Sequence, residues 1–178
     1  DLIVTGVQTC ALPISRKLLY FYPEADLSSA EIVLATLAEP LVRANGAKHV
    51  KLLGLAFEYG HADGIVARNT EHLELAGCVV ANLAGGGISI QGSANAVRSC
   101  DCFNLGKGGI SLDGGDRKTL TPGGNLAENN HVHHYGLFSA LTHRGLASTG
   151  ADRSSAKTAS TTLRTTPSST AATSIFSS

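Results

Sequence analysis

The chain lacks several features by which a function is usually recognised. Its 178 residues hold 14 basic and 14 acidic side chains, so the formal net charge is zero and no basic patch indicates a nucleic-acid partner. No apolar run is long enough to span a membrane. No nucleophile motif, phosphate-binding loop or nucleotide fingerprint is present. The sequence therefore predicts no cofactor, no nucleic-acid partner and no membrane span.

Cysteine is also scarce, and its placement does not indicate a disulfide framework. Three of the four cysteines, Cys78, Cys100 and Cys102, fall in repeated strand-like segments, where they are expected to be buried and to act as small hydrophobes. The Cys-x-Cys pair at 100–102 lacks the second ligand pair of a zinc site. We therefore expect free thiols and assign no metal.

What the chain does contain is an internal repeat. A Gly-Ile step occurs at Gly64-Ile65, Gly87-Ile88 and Gly109-Ile110, with spacings of 23 (87−64) and 22 (109−87) residues. Around each step lie short segments of alternating apolar and polar residues, separated by Gly and Asn, which is typical of strands with one buried face. The sequence predicts an all-β fold, a parallel β-helix (β-solenoid) with coils of about 22–23 residues. A leucine-rich repeat shares this period, but the Gly-rich returns and the β-branched apolar residues favour the β-helix.

The repeat predicts which residues stack inside the solenoid. Neighbouring coils should lie about 4.8 Å apart, with like residues above one another. Asn82 and Asn104 should form one hydrogen-bonded column at a corner. The Gly runs at 85–87 and 106–109 are expected to supply unusual turn conformations. The predicted interior columns are Leu55/Cys78/Cys100, Phe57/Val80/Cys102, Ile65/Ile88/Ile110 and Ala67/Ile90/Leu112.

The two ends of the chain differ from this pattern. Residues 4–14 resemble a translated sequencing adapter, so we expect residues 1–15 to be an artefact and not native protein. Residues 137–178 contain 10 Ser, 9 Thr and 7 Ala, and we expect a disordered or frameshifted tail there. The solenoid prediction therefore covers residues 16–136. An irregular loop at 116–124 interrupts it, after which residues 131–136 align with residues 101–106.

Residues 16–136 resemble the right-handed parallel β-helix proteins of the pectate-lyase-like superfamily, and in particular bacterial β-helix glycoside hydrolases. The segments that carry the resemblance are 18–23, 39–42, 49–50, 54–58, 108–112, 114–122 and 128–136. The resemblance implies a site on the outer face, in a groove bordered by inserted loops. It also implies a polysaccharide or oligosaccharide partner and a secreted, periplasmic or cell-surface location.

Within that resemblance, the inserted loop offers the best candidates for a site. Asp113 and Asp116 are the expected catalytic pair, since two carboxylates can carry out general acid and base catalysis on a glycosidic bond. Arg117 and Lys118 are expected to bind substrate, offsetting a uronate carboxylate or abstracting a proton. The alternative is a loop held by its own interactions, with Asp113 capping a Gly turn.

A second candidate group is His-rich. Alternation directs His131 and His133 outward, on the same side as the inserted loop, while Val132 points inward. We expect both histidines to bind substrate; two such side chains can also shuttle protons or ligate a metal. The sequence places only one carboxylate, Glu128, near these histidines. The alternative to a functional role is that the two histidines are simply solvated or stacked on each other.

Together these features predict a fragment of a carbohydrate-active β-helix protein, a glycoside hydrolase or polysaccharide lyase, that is inactive as this fragment. The alternative is a non-catalytic glycan-binding, surface or adhesin module. The low aromatic content, 5% of the residues, weighs slightly against pure binding through stacked rings. The sequence leaves the substrate and the oligomeric state open.

Overall fold

A computed structural model describes most of the central part of the chain and short segments of both ends. The described residues are 3–4, 10–11, 20–21, 32–116, 118–137, 145–150, 157–161 and 173–176. The regular structure in these ranges consists of strands. Among the described residues, none forms a helix with the length and hydrophobicity needed to cross a bilayer.

The described residues form eighteen strands, most of them only two to seven residues long. In chain order they are β1 Ile3–Val4, β2 Cys10–Ala11, β3 Tyr20–Phe21, β4 Ile32–Ala35, β5 Val42–Asn45, β6 Lys51–Leu53, β7 Ala56–Gly60, β8 Ile65–Glu71, β9 Glu74–Ala76, β10 Val79–Leu83, β11 Ile88–Ser93, β12 Ala96–Arg98, β13 Asp101–Leu105, β14 Ile110–Gly114, β15 Leu126–Tyr135, β16 Leu146–Gly150, β17 Lys157–Thr161 and β18 Thr173–Phe176.

Strands from successive coils pair in parallel and form a solenoid. One sheet has the order β16-β14-β11-β8-β5. The other has the order β6-β9-β12-β15-β13-β10-β7, because the long strand β15 pairs first with β12 and then with β13. Each coil thus contributes three strand segments, as the parallel β-helix prediction requires. Two small sheets, β1-β18-β4 and β2-β3, complete the described strands.

The interior columns follow the predicted register. Ile88 pairs with Ile65 on one side and Ile110 on the other, and Val80 pairs with Phe57 and Cys102. The buried cluster runs through all of the complete coils. Leu55 is an exception, since it is 43% exposed although its column partners Cys78 and Cys100 are buried. Its coil is the first of the regular stack, so in the described part of the chain it is covered from one side.

Asparagine side chains hold the corners together, as predicted for Asn82 and Asn104. The Asn104 amide donates to Asn82 Oδ1 at 3.1 Å, and both residues adopt a left-handed backbone conformation. At a second corner Asn130 is buried in the Cys78/Cys100 column, where its Oδ1 accepts a hydrogen bond from the Cys100 amide at 2.9 Å. Buried Asn side chains therefore satisfy backbone groups that the bends leave unpaired.

The expected role of the repeated glycines was wrong. None of the glycines at 85–87, 106 and 108–109 has a positive φ. Instead, a Cβ added at Gly64, Gly87 or Gly109 would lie 2.8, 2.6 or 2.5 Å from a carbonyl oxygen of the next coil. Glycine recurs at this step because backbone from adjacent coils approaches too closely for any side chain, and not because the turn needs a special φ.

The stack continues beyond residue 136, where the sequence analysis ended it. β16 pairs in parallel with β14, and β17 pairs in parallel with β15 between Glu128 and His133. These strands add to two faces of the solenoid. The artefact at 1–15 and the disordered or frameshifted tail at 137–178 stay predictions.

The glycine column gives a testable stability difference. Gly87→Ala should destabilise the protein by about 1–3 kcal/mol, because the new methyl group must displace the Gly109 carbonyl. Gly46→Ala is the control: its φ is +69° but no atom lies within 4 Å of the new Cβ, so only left-handed strain of about 1–2 kcal/mol applies. Denaturant unfolding followed by circular dichroism measures both. Equal stability of Gly87→Ala and the unchanged chain would contradict the close-approach explanation.

Candidate functional site

A shallow, open groove follows the corner where strands β8, β11 and β14 end. We call it the corner groove; it has a volume of about 390 Å³. Gly92, Gly114 and Gly115 also line it, and at Gly92 and Gly114 glycine is required because a Cβ would collide with atoms of a neighbouring coil. The polar side chains that line it include Lys48, Asn69, Glu71, Gln91, Ser93 and Asp113.

The charged side chains of the corner groove interact mainly with one another. Lys48 Nζ lies 2.9 Å from Glu71 Oε2. The hydrogen bond and charge of Lys48 hold the pKa of the Glu71 carboxyl below its ordinary value. Glu71 is therefore an ionised acceptor at neutral pH and is unsuited to the role of general acid, which needs a raised pKa. Asp113 adds a second carboxylate to the groove.

The predicted loop residues separate in the structure. Asp113 lines the corner groove, whereas neither Asp116 nor Lys118 does. Asp116 Oδ1 accepts a hydrogen bond from the Lys118 amide at 2.8 Å, which holds the pKa of Asp116 below its ordinary value. This contact favours the alternative of a loop held by its own interactions, with Asp116 and not Asp113 as the capping side chain. Arg117 lies outside the described residues.

A second shallow depression lies beside strands β6, β9 and β12, and its charges are also paired. Lys51 Nζ lies 2.8 Å from Glu74 Oε2, and Arg98 reaches Glu74 at 3.1 Å and Glu128 at 3.6 Å. The hydrogen bond from Lys51 holds the pKa of Glu74 below its ordinary value. Glu128 belongs to this ladder of alternating charge because it pairs with Arg98. It is therefore not the carboxylate that pairs with the histidines.

The carboxylate that pairs with the histidines is Asp101. His131 stacks directly above Asp101 in the register of β13 and β15, and His133 follows two residues later on the same outward face. Asp101 Oδ1 lies 3.3 Å from His131 Nδ1 and 3.3 Å from His133 Nε2. We call these three residues the Asp-His-His cluster. It lies beyond the bend at Asn129 and Asn130, and neither histidine lines the corner groove.

The cluster has an unsatisfied acceptor at its centre. Asp101 Oδ1 is buried and accepts no hydrogen bond of good geometry, although both histidine nitrogens lie at ion-pair distance. The ligand atoms of the three residues all lie within 4.8 Å of one another. Two imidazoles and a carboxylate with this spacing can share a proton or ligate one cation.

The surroundings of His133 favour its neutral form. Partial burial, followed by repulsion from His131, lowers the pKa of His133 below its ordinary value, although Asp101 opposes this shift. Its ring stacks on Phe103 with a centroid distance of 5.1 Å, and on His131 with 4.3 Å. His134 meets it edge-on. The neutral His133 ring is therefore held in place and can act as a metal ligand or as a base.

The cysteines do not form a site. Cys78, Cys100 and Cys102 are free and buried, as predicted. Burial raises the pKa of the Cys100 thiol to about 11 and raises that of Cys102 as well. Thiols in this state are poor nucleophiles and poor metal ligands at neutral pH.

Asp101 was missed by the sequence analysis, although the signal was present. The alignment of residues 101–106 with residues 131–136 already places Asp101 against His131. The sequence analysis names only Glu128, which lies in the same coil as the histidines. In a solenoid the nearest neighbours of a side chain come from the coils above and below, 22 to 30 residues away.

The lowered pKa of His133 predicts a pH dependence of stability. Its folded pKa lies below the unfolded value of about 6.5, so the unfolded state binds more protons near that pH. His133 should stabilise the fold fully above pH ~6.5, and this contribution should be lost as the pH falls through the folded pKa. His133→Gln should show a shallower fall in melting temperature between pH 7.5 and 5.5, measured in EDTA. Parallel curves for the two chains would contradict the assignment.

The comparisons with known proteins agree with this architecture. The family model for the right-handed beta helix region matches residues 40–156, about two thirds of the chain. That range includes the corner groove and the Asp-His-His cluster. No curated protein and no solved structure matches the chain. Because the match covers more than half of the residues and the described strands form a parallel solenoid, the chain belongs to the right-handed β-helix family.

Proposed function

We propose that this chain is part of a carbohydrate-active β-helix protein and that the corner groove holds an oligosaccharide. The observation that carries the proposal is the line of amide, hydroxyl and carboxylate side chains along an open groove. Sugar hydroxyls need such donors and acceptors, and an extended glycan fits an open groove better than an enclosed pocket.

The charge of the groove points to a neutral glycan. Its charged lining consists of Glu71, Asp113 and Lys48, and the lysine is already paired with Glu71. A uronate carboxylate entering the groove would meet two like charges and no free ammonium group among these residues. Lys118, which was expected to offset such a charge, does not line the groove.

Within the carbohydrate-active class, these contacts favour binding over catalysis by the loop carboxylates. Hydrolysis needs one carboxyl that is protonated at working pH and a second that is free to act as base or nucleophile. Glu71 is held ionised by Lys48, and Asp116 is engaged in the loop. A non-catalytic glycan-binding or surface module is therefore the form of the proposal that the groove supports best. The second form of the proposal is that the carbohydrate-active protein to which this chain belongs cleaves a glycan by hydrolysis or elimination.

Isothermal titration calorimetry with neutral xylo-oligosaccharides and acidic oligogalacturonides tests the proposal. The neutral probes should bind more tightly, and Gln91→Ala or Asp113→Asn should weaken that binding by about tenfold, the loss of one or two hydrogen bonds. Ser89→Ala is the matched control, because Ser89 lies on β11 two residues before Gln91 but outside the groove. Its affinity should not change.

Two product assays separate the forms of the proposal. New reducing ends would indicate hydrolysis, and unsaturated uronate products would indicate elimination. Binding without either product supports the non-catalytic module. Absence of binding to every probe, or equal weakening by Ser89→Ala and Gln91→Ala, would reject the corner groove as a glycan site.

A further inference from the structure

We propose that Asp101, His131 and His133 form a binding site for a divalent transition-metal ion such as Zn²⁺, with three protein ligands and one position left for water. This inference is independent of the corner groove and of glycan binding. It rests on the distances within the Asp-His-His cluster, on the unsatisfied oxygen at its centre, and on the way neighbouring coils supply the ligands.

The distances agree with a shared metal. Zn²⁺ binds imidazole nitrogen and carboxylate oxygen at about 2.0–2.2 Å, which places neighbouring ligand atoms of a tetrahedron about 3.3–3.5 Å apart. Asp101 Oδ1 lies 3.3 Å from a nitrogen of each histidine. The widest separation among the three ligand atoms is within 4.8 Å. A modest rotation of the exposed His131 ring can close the remaining gap.

The central oxygen lacks the partner that a stable ion pair would give it. Asp101 Oδ1 is buried, yet neither histidine donates a well-directed hydrogen bond to it. A buried acceptor with poorly directed hydrogen bonds is costly, and a cation between the carboxylate and the two rings reduces that cost. Both side chains from β15 face outward, so the ion can enter from solvent and keep a water ligand.

The donor set also selects the class of ion. Two imidazoles and one carboxylate suit Zn²⁺ and its first-row neighbours, whereas Ca²⁺ and Mg²⁺ prefer oxygen ligands only. The stacking of His133 on Phe103 holds one ligand in position before the ion arrives. Because Asp101 comes from β13 and the histidines come from β15, a bound ion would join two adjacent coils.

A second stacked pair of histidines provides the control. His49 and His72 stack with a centroid distance of 4.8 Å, and Glu71 lies 3.9 Å from His72. However, Lys48 lies 2.9 Å from the other oxygen of Glu71, so its positive charge already offsets this carboxylate and opposes a second cation there. If metal bound only adventitiously to stacked surface histidines, it would bind to His49 and His72 as well as to His131 and His133.

The test is a calorimetric titration of the full chain with ZnCl₂, with Co²⁺ absorption as a report on the ligands. We expect one ion per chain and a visible Co²⁺ spectrum of low coordination number without a thiolate charge-transfer band. Asp101→Asn and His131→Gln should each weaken Zn²⁺ binding by about tenfold or more. His72→Gln should leave it unchanged. Binding should weaken below pH ~6.5 as protons compete for the imidazoles.

Several outcomes would overturn the proposal. These are the absence of stoichiometric binding, equal affinity of Asp101→Asn and the unchanged chain, equal losses in His72→Gln and His131→Gln, or a thiolate band with Co²⁺. Circular dichroism establishes that each variant is folded. If Asp101→Asn fails to fold, His131→Gln decides alone, because the exposed His131 ring can be replaced without opening the core.

Discussion

The parallel hydrogen-bond ladder between successive coils is the interaction on which the rest of this structure depends. The strand segments within a coil are too short to persist alone, and each gains its backbone partners from the coils above and below. The ladder also requires the backbone of adjacent coils to meet closely at the corner before β8, β11 and β14. Gly64, Gly87 and Gly109 meet that requirement, since any Cβ there would contact a carbonyl of the next coil.

The ladder explains how distant residues become neighbours. Once coils stack in register, like positions align, and apolar columns, asparagine columns and charge columns all follow from the same geometry. The inserted loop between β14 and β15 lengthens one repeat, so Asp101 and His131 are 30 residues apart while Asp101 and Val79 are 22 apart. The loop absorbs the difference because its residues lie outside the ladder, and the register before and after it is preserved.

Pairing of charge between coils also shapes what the surface can do. Lys48 with Glu71, and Lys51 and Arg98 with Glu74, are ion pairs between neighbouring coils. Polar side chains line the corner groove, and in the Asp-His-His cluster a carboxylate lies beside two histidines. The proposed glycan site and the proposed metal site thus both depend on which side chains the stacked coils bring together.

The fold could be predicted from the sequence because its cause is local and repeated. The Gly-Ile spacing and the alternation of apolar residues determined the solenoid, the interior columns and the free buried thiols. The site could be predicted only in part. Asp113 lines the corner groove, and its catalytic role stays a prediction. Whether Asp116 would face that groove or cap its own loop depended on a hydrogen bond from the Lys118 amide.

The partners of His131 and His133 were likewise decided by the tertiary structure. Their nearest carboxylate lies on another coil, and the closer one in sequence, Glu128, is taken by Arg98. A repeating pattern thus determined which residues stack and which faces they occupy. Only the three-dimensional packing decided which charged side chains satisfy one another, because that depends on rotamers and distances across coils that no spacing along the chain specifies.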